Sequence, residues 1–188
     1  MIFSVKYTKS ITIIYFQGFF IFFYPLILII TMISDSLRQG LFFGFNSGVI
    51  TSIGILAGLS QVVQSPKIII ITLFSLAISD GLSEAYSLYF SIKSKKNNIE
   101  DDKNALRALR GVILSKVGVT LSFLTPLLFV KDLKMYKNMY FPIIWGAILL
   151  LFIDFNIIKN TDEKIEKYLI PQVSIVMLLI LLGKIFRN

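Results

Sequence analysis

The stretch IIIITLFSLAISDGLSEAYSLYFSI at residues 68–92 decides the fold. About 20 apolar residues carry a helix across a hydrocarbon core of about 30 Å. This run is long enough, and Asp80 and Glu84 are its charged residues. It is also too continuous for the alternating strands of a membrane barrel, and a helix satisfies every backbone group within one segment. The expectation is a membrane-spanning helix with two acids in its middle.

Similar runs lie on both sides. Residues 41–59 form one, rich in small side chains, and 11–33 form another of Ile, Phe, Leu and Tyr. Downstream come 112–130, 140–158 and 168–185. Together they predict an all-α, integral membrane helical bundle of five core transmembrane helices. Ahead of these lies a hydrophobic segment, residues 1–37, with the membrane domain expected over 38–188. The first run fits the charge pattern poorly, because spanning would place Lys6 and Lys9 on the outer side. Three readings stand for it: an extra helix, a signal peptide without a small-residue cleavage site, or translation that starts at Met32, in MISDSLRQG.

Composition agrees. The chain of 188 residues is 55% hydrophobic and 16% charged, with a mean hydropathy of +0.77. A soluble domain uses roughly a quarter charged residues. The net charge of +8 comes from Lys and Arg between the hydrophobic runs, which fits anchoring to anionic lipid rather than nucleic acid. Lys93, Lys95, Lys96, Lys103, Arg107 and Arg110 gather after the third run, and Lys159, Lys164 and Lys167 after the fifth. Both groups are assigned to the cytoplasmic side of a cell membrane crossed several times. There is no Cys and no His, so disulfides, thiolate or His metal sites and His-based catalysis are excluded. No nucleophile motif or phosphate-binding glycine loop is present, and Asp154 lacks the glycine-bearing context of an aspartyl intramembrane protease. The chain is expected not to be an enzyme and to need no cofactor.

Charged groups within a bilayer cost about 2.5–3.5 kcal/mol each on insertion scales, so each one calls for a function. Asp80 and Glu84 are spaced i,i+4 and share a helical face, with Ser83, Ser87 and Ser91 at similar spacing. Two adjacent carboxylates repel unless a cation or proton neutralises one. Hard oxygen ligands of this kind suit a divalent metal that exchanges with protons. Asn46 and Ser47 in the second run would add neutral oxygens. Against this stands a static pair between Asp80 and Lys116, the lysine well inside the fourth run. Asp154 is expected at the membrane interface, paired with Lys159, and Glu100, Asp101 and Asp102 in a solvated acidic turn. The spacings Gly44-xxx-Gly48 and Gly54-xxx-Gly58 allow close helix packing.

The stretch FNSGVITSIGILAGL at 45–59 resembles the first-helix signature of the vacuolar iron transporter family. ISDGLSEAYSLYFSIK at 78–93 is similar to its second-helix motif, approximately ADGxSMAxGEYLS, through Asp80, Gly81, Ser83, Ala85, Tyr89 and Ser91. SKVGVTLSFLTPLL at 115–128 is similar to its third helix. The likeness covers about residues 38–187. It implies a five-helix homodimer that exports Fe²⁺ or Mn²⁺ from the cytoplasm by proton antiport, the metal being cargo. The family joins an Asp of the first helix to a Met of the second. Here Ser47 and Glu84 stand in those places, Leu88 replaces the Glu of GEYLS, and a short linker at 93–104 replaces the family's cytosolic module. The metal site implied is therefore Asp80, Glu84, Ser47 and Asn46. The competing expectation is a non-transporting membrane protein that keeps the fold for assembly or interaction.

Overall fold

Helix α1, Asp35–Val62, carries a glycine every fourth residue at 40, 44 and 48. In the computed structural model, which describes residues 34–62, 65–94, 99–124, 140–158, 164 and 166–185, that glycine row lies against helix α3, Ile99–Ser122. A Cβ on Gly40 would collide with the Ala108 carbonyl oxygen, and one on Gly44 would stand 2.5 Å from that of Val112. Gly111 answers from α3, where a Cβ would come within 2.6 Å of the Leu37 carbonyl oxygen. Residues 40, 44 and 48 meet 108, 112 and 116 in ascending order, so the two helices run parallel with their backbones nearly touching.

Gly40→Ala and Gly44→Ala are therefore expected to force α1 and α3 apart. Each should cost about 1–3 kcal/mol as an overpacking change, read as a lower midpoint in thermal unfolding in detergent. Gly58→Ala is the control. A side chain at Gly58 meets open space, and Ala is the better helix former by about 1 kcal/mol, so its midpoint should hold or rise.

Helix α2, Pro66–Lys93, starts with proline at a position where no backbone donor is needed. It runs antiparallel to them and packs beside both: Lys93 lies 3.3 Å from Asp102 at one end, while Gly81 lies beside Lys116 further along. One row, Ile69, Leu73, Ala77 and Ala85, is buried. Another, Ile71, Phe74, Ile78, Leu82, Tyr86 and Phe90, points outward, with Ile71 64% exposed. The hydroxyls of Thr72, Ser79 and Ser87 donate to the carbonyls of Ile68, Ser75 and Ser83 one turn back. They are satisfied by their own helix and need no neighbour. Ser83, Ser87 and Ser91 are exposed.

Helix α3 departs from the sequence expectation. It begins at Ile99, well before the apolar run expected from residue 112, so Glu100, Asp101 and Asp102 form its first turn rather than part of a linker, with Glu100 and Asp102 exposed. Acids are stabilised there by the partial positive charge of the helix N-terminus. Lys103, Arg107 and Arg110 accordingly lie on the helix and not in a loop. The last six residues of the run expected over 112–130 lie outside the described residues.

Helices α4, Tyr140–Ile158, and α5, Glu166–Ile185, follow the expected runs closely. Both pack on α1. Gly146 allows α4 to close on Ile53, whose Cδ1 a Cβ there would meet at 2.6 Å. The core is built from Val49, Ile53, Leu56, Ala108, Val112, Phe123, Leu149 and Ile153, with α1 at its centre.

The described residues are all-helical, without a strand. Two stretches are long and apolar enough to cross a membrane, Asp35–Leu59 and Lys67–Lys93, and a shorter apolar stretch covers Ile143–Phe155. The compact unit described here begins at Asp35. The first hydrophobic run, Met32, and the partner expected for Asp154, Lys159, lie outside the described residues.

Candidate functional site

Asp80 sits at the middle of α2, about 20 Å from either end at 1.5 Å per residue. Glu84 follows one turn later on the same side, next to the row of Ala77, Gly81 and Ala85. Because that row is small, Lys116 of α3 lies close across it, its Cγ and Cδ 3.9 Å from where a Cβ on Gly81 would be. The lysine is 1% exposed. Its ammonium donates to Asp80 Oδ2 at 2.5 Å and to Ser47 Oγ at 2.7 Å, and it lies 2.7 Å from Glu84 Oε1. An ammonium has three donors, and three oxygens surround this one.

Ser47 ties the third helix in. Its hydroxyl lies 2.7 and 2.6 Å from the two Glu84 carboxylate oxygens, which share its single proton, while it accepts from Lys116. Three helices thus contribute to one cluster with two negative charges and one positive. Asp80 and Glu84 are 34% and 25% exposed. The carboxylate repulsion for which the sequence suggested a visiting cation is relieved by Lys116. Lys116 pairs with Glu84 as well as with Asp80.

Asn46 points elsewhere. Its Oδ1 accepts a 3.4 Å hydrogen bond from Gln172 Nε2 of α5, which also donates to Asp154 Oδ1 at 2.9 Å. These residues line a cavity of about 410 Å³ between α1, α4 and α5, together with Phe42, Ser47 and Tyr168. Asp154 is fully buried, and its Oδ2 has no hydrogen-bond partner among the described residues. Asp154 is thus enclosed by the helices around it, and Lys159, the partner expected for it, lies outside the described residues. Four residues from the helix end along the chain, Asp154 looked peripheral, but α5 folds over it and Gln172 reaches it.

Of the four residues expected to bind metal, the fold brings Asp80, Glu84 and Ser47 together and leaves Asn46 in the neighbouring cluster. Among the described residues no three acidic side chains converge. A cation seated where the ammonium lies would therefore meet two carboxylates and a hydroxyl and would keep part of its water shell. Sequence reading missed Gln172, although an amide within the apolar run 168–185 was a legible signal. No family model, no curated protein and no solved structure matches the chain.

Proposed function

We propose that the protein is a multi-pass carrier in the cell membrane that moves divalent cations, Fe²⁺ or Mn²⁺, out of the cytoplasm in exchange for protons. Asp80, Glu84 and Ser47 form the cation seat, and Lys116 fills it between cargoes. The carrying observation is the charge cluster at the middle of a helix long and apolar enough to span a bilayer. The outward apolar row of α2 supports a lipid-facing exterior, since apolar surface exposed along a whole helix is otherwise unfavourable.

A carrier must hold its cargo and release it. A fixed ammonium on a flexible stem offers that reversibility. It occupies the carboxylates when no metal is bound, keeps the empty seat at one net negative charge, and competes with the metal during release. The oxygen ligands are hard, favouring Mn²⁺, Fe²⁺, Mg²⁺ or Ca²⁺ over Cu²⁺ or Zn²⁺. A homodimer belongs to the same reading, from the resemblance alone.

The second reading, a membrane protein that keeps the bundle for assembly or interaction, is favoured by one observation: every donor of the Lys116 ammonium already has an oxygen partner. Uptake separates the readings, and a charge swap tests the role given to Lys116. Purified protein in proteoliposomes is expected to take up Mn²⁺ and Fe²⁺, faster with an opposing pH gradient. Failure to move Fe²⁺, Mn²⁺ or Ca²⁺ under either condition would exclude the carrier. The double charge swap Asp80→Lys with Lys116→Asp is expected to fold yet carry no cation, because the lysine head then hangs from the wrong helix. Retained transport in the swap would count against a lysine that must move.

A further inference from the structure

Asp154 and Gln172 play no part in the cation seat. We infer that the Asp154 carboxyl is a proton-exchange site, carrying the proton that is traded for the cation. This rests on the carrier reading above.

Asp154 is fully buried, and its Oδ2 lacks a donor among the described residues. An isolated carboxylate in such a place is expensive to keep charged, and it is relieved either by a cation or by a proton. Among the described residues, the polar side chains that line the cavity with it are uncharged: Asn46 and Ser47 from α1, Gln172 and Tyr168 from α5. Gln172 hydrogen-bonds Asp154, whereas the Ser47 hydroxyl is turned to Glu84 and Lys116. No Lys or Arg among the described residues forms an ion pair with it. A metal would need more ligands than one carboxylate and two amides, and among the described residues no group of three acids gathers at Asp154. A proton needs one oxygen.

The cavity supplies the route. It has room for several waters at about 30 Å³ each, and polar side chains line it to hold them. Asp154 has no water-accessible surface in the resting arrangement, so exchange needs a small side-chain opening beside the cavity. A hydrated proton from the cavity then forms an O–H bond at Asp154 Oδ2, and the same bond breaks to return the proton to water, with no electrons transferred. Gln172 is a positioning residue, since its amide engages Oδ1 and leaves Oδ2 for the proton. Ser47 connects the two clusters. It lines this cavity and also hydrogen-bonds both Glu84 and Lys116. When a divalent ion replaces the ammonium, the added positive charge acts across the cavity and favours loss of the proton from Asp154.

Infrared difference spectra of the wild type in lipid, recorded on acidification, are expected to contain a carboxylic C=O band. Asp154→Asn should remove it, and Asp80→Asn and Glu84→Gln should leave it in place. Gln172→Leu should shift it, because the hydrogen bond to Oδ1 is lost. In proteoliposomes, Asp154→Asn should still allow downhill Mn²⁺ movement but lose the accumulation driven by a pH gradient, about tenfold per pH unit for each proton exchanged. A band unaltered in both Asp154→Asn and Gln172→Leu, or pH-driven accumulation intact in Asp154→Asn, would overturn the inference. If the wild type moves no cation yet its band depends on Asp154, the carrier reading fails while the proton site stands.

Discussion

Lys116→Ala is expected to destabilise the bundle more than any other single change described here, by about 3–5 kcal/mol. The lysine is 1% exposed and is the cation of the cluster, so its loss leaves Asp80 and Glu84 facing each other without compensation. Removing one partner of a buried pair costs more than the pair contributes, because an uncompensated charge remains. The partial exposure of both acids lets water reach them and places the effect toward the lower end of that range. In thermal unfolding in detergent the midpoint should fall by roughly 10 °C, at about 2–4 °C per kcal/mol for a chain of this length. Two recoveries are expected. Adding Glu84→Gln to Lys116→Ala should restore part of the loss, since one carboxylate no longer repels the other. Millimolar Mn²⁺ should also restore part of it, since a cation can then take the place of the ammonium. A variant that melts like the wild type would mean the ammonium contributes nothing to the fold. A variant rescued by Glu84→Gln but indifferent to Mn²⁺ would favour the static reading over the carrier.

Glu84→Gln is expected to abolish cation transport while leaving the fold intact. Glutamine has nearly the same shape, and its amide oxygen still accepts from Ser47 and Lys116, so the packing between α1, α2 and α3 is retained. The charge is not. With the ammonium displaced, the seat drops from two negative charges to one. Unit charges 4 Å apart at an effective dielectric constant of 20 interact by about 4 kcal/mol. Loss of a hundred-fold or more in divalent affinity, about 3 kcal/mol, is therefore the modest expectation. The measurement is initial Mn²⁺ uptake into proteoliposomes, paired with circular dichroism to establish equal helix content. Uptake at the wild-type rate would remove Glu84 from the seat, and with it the proposed mechanism.

The helices were largely legible in the sequence because their signal is local. The runs at 68–92 and 140–158 correspond to α2 and α4 within a few residues, since continuous apolar sequence leaves a chain few ways to satisfy its backbone. α3 was misjudged at its start for an equally local reason. Its first three turns carry Glu100, Asp101, Asp102, Lys103, Arg107 and Arg110, and hydropathy reads such a stretch as a loop although its charges suit a helix terminus. The i,i+4 spacing of Asp80 and Glu84 was likewise legible, because it depends only on the helical period.

Partners across helices were not. Lys116 was visible as a misfit within the fourth run, but only the approach of α3 over the small row of α2 gives its ammonium both carboxylates, and only the glycine contact of α1 with α3 adds the Ser47 hydroxyl. Asn46 and Ser47 are neighbours in sequence, yet consecutive positions on a helix point about 100° apart, so one faces Lys116 and the other Gln172. Asp154 gained its burial from α5, a separate helix further along the chain. Apolar length and helical period act over a few residues and are written into the sequence. Which faces meet depends on how closely the backbones can approach, and that is settled when the helices pack.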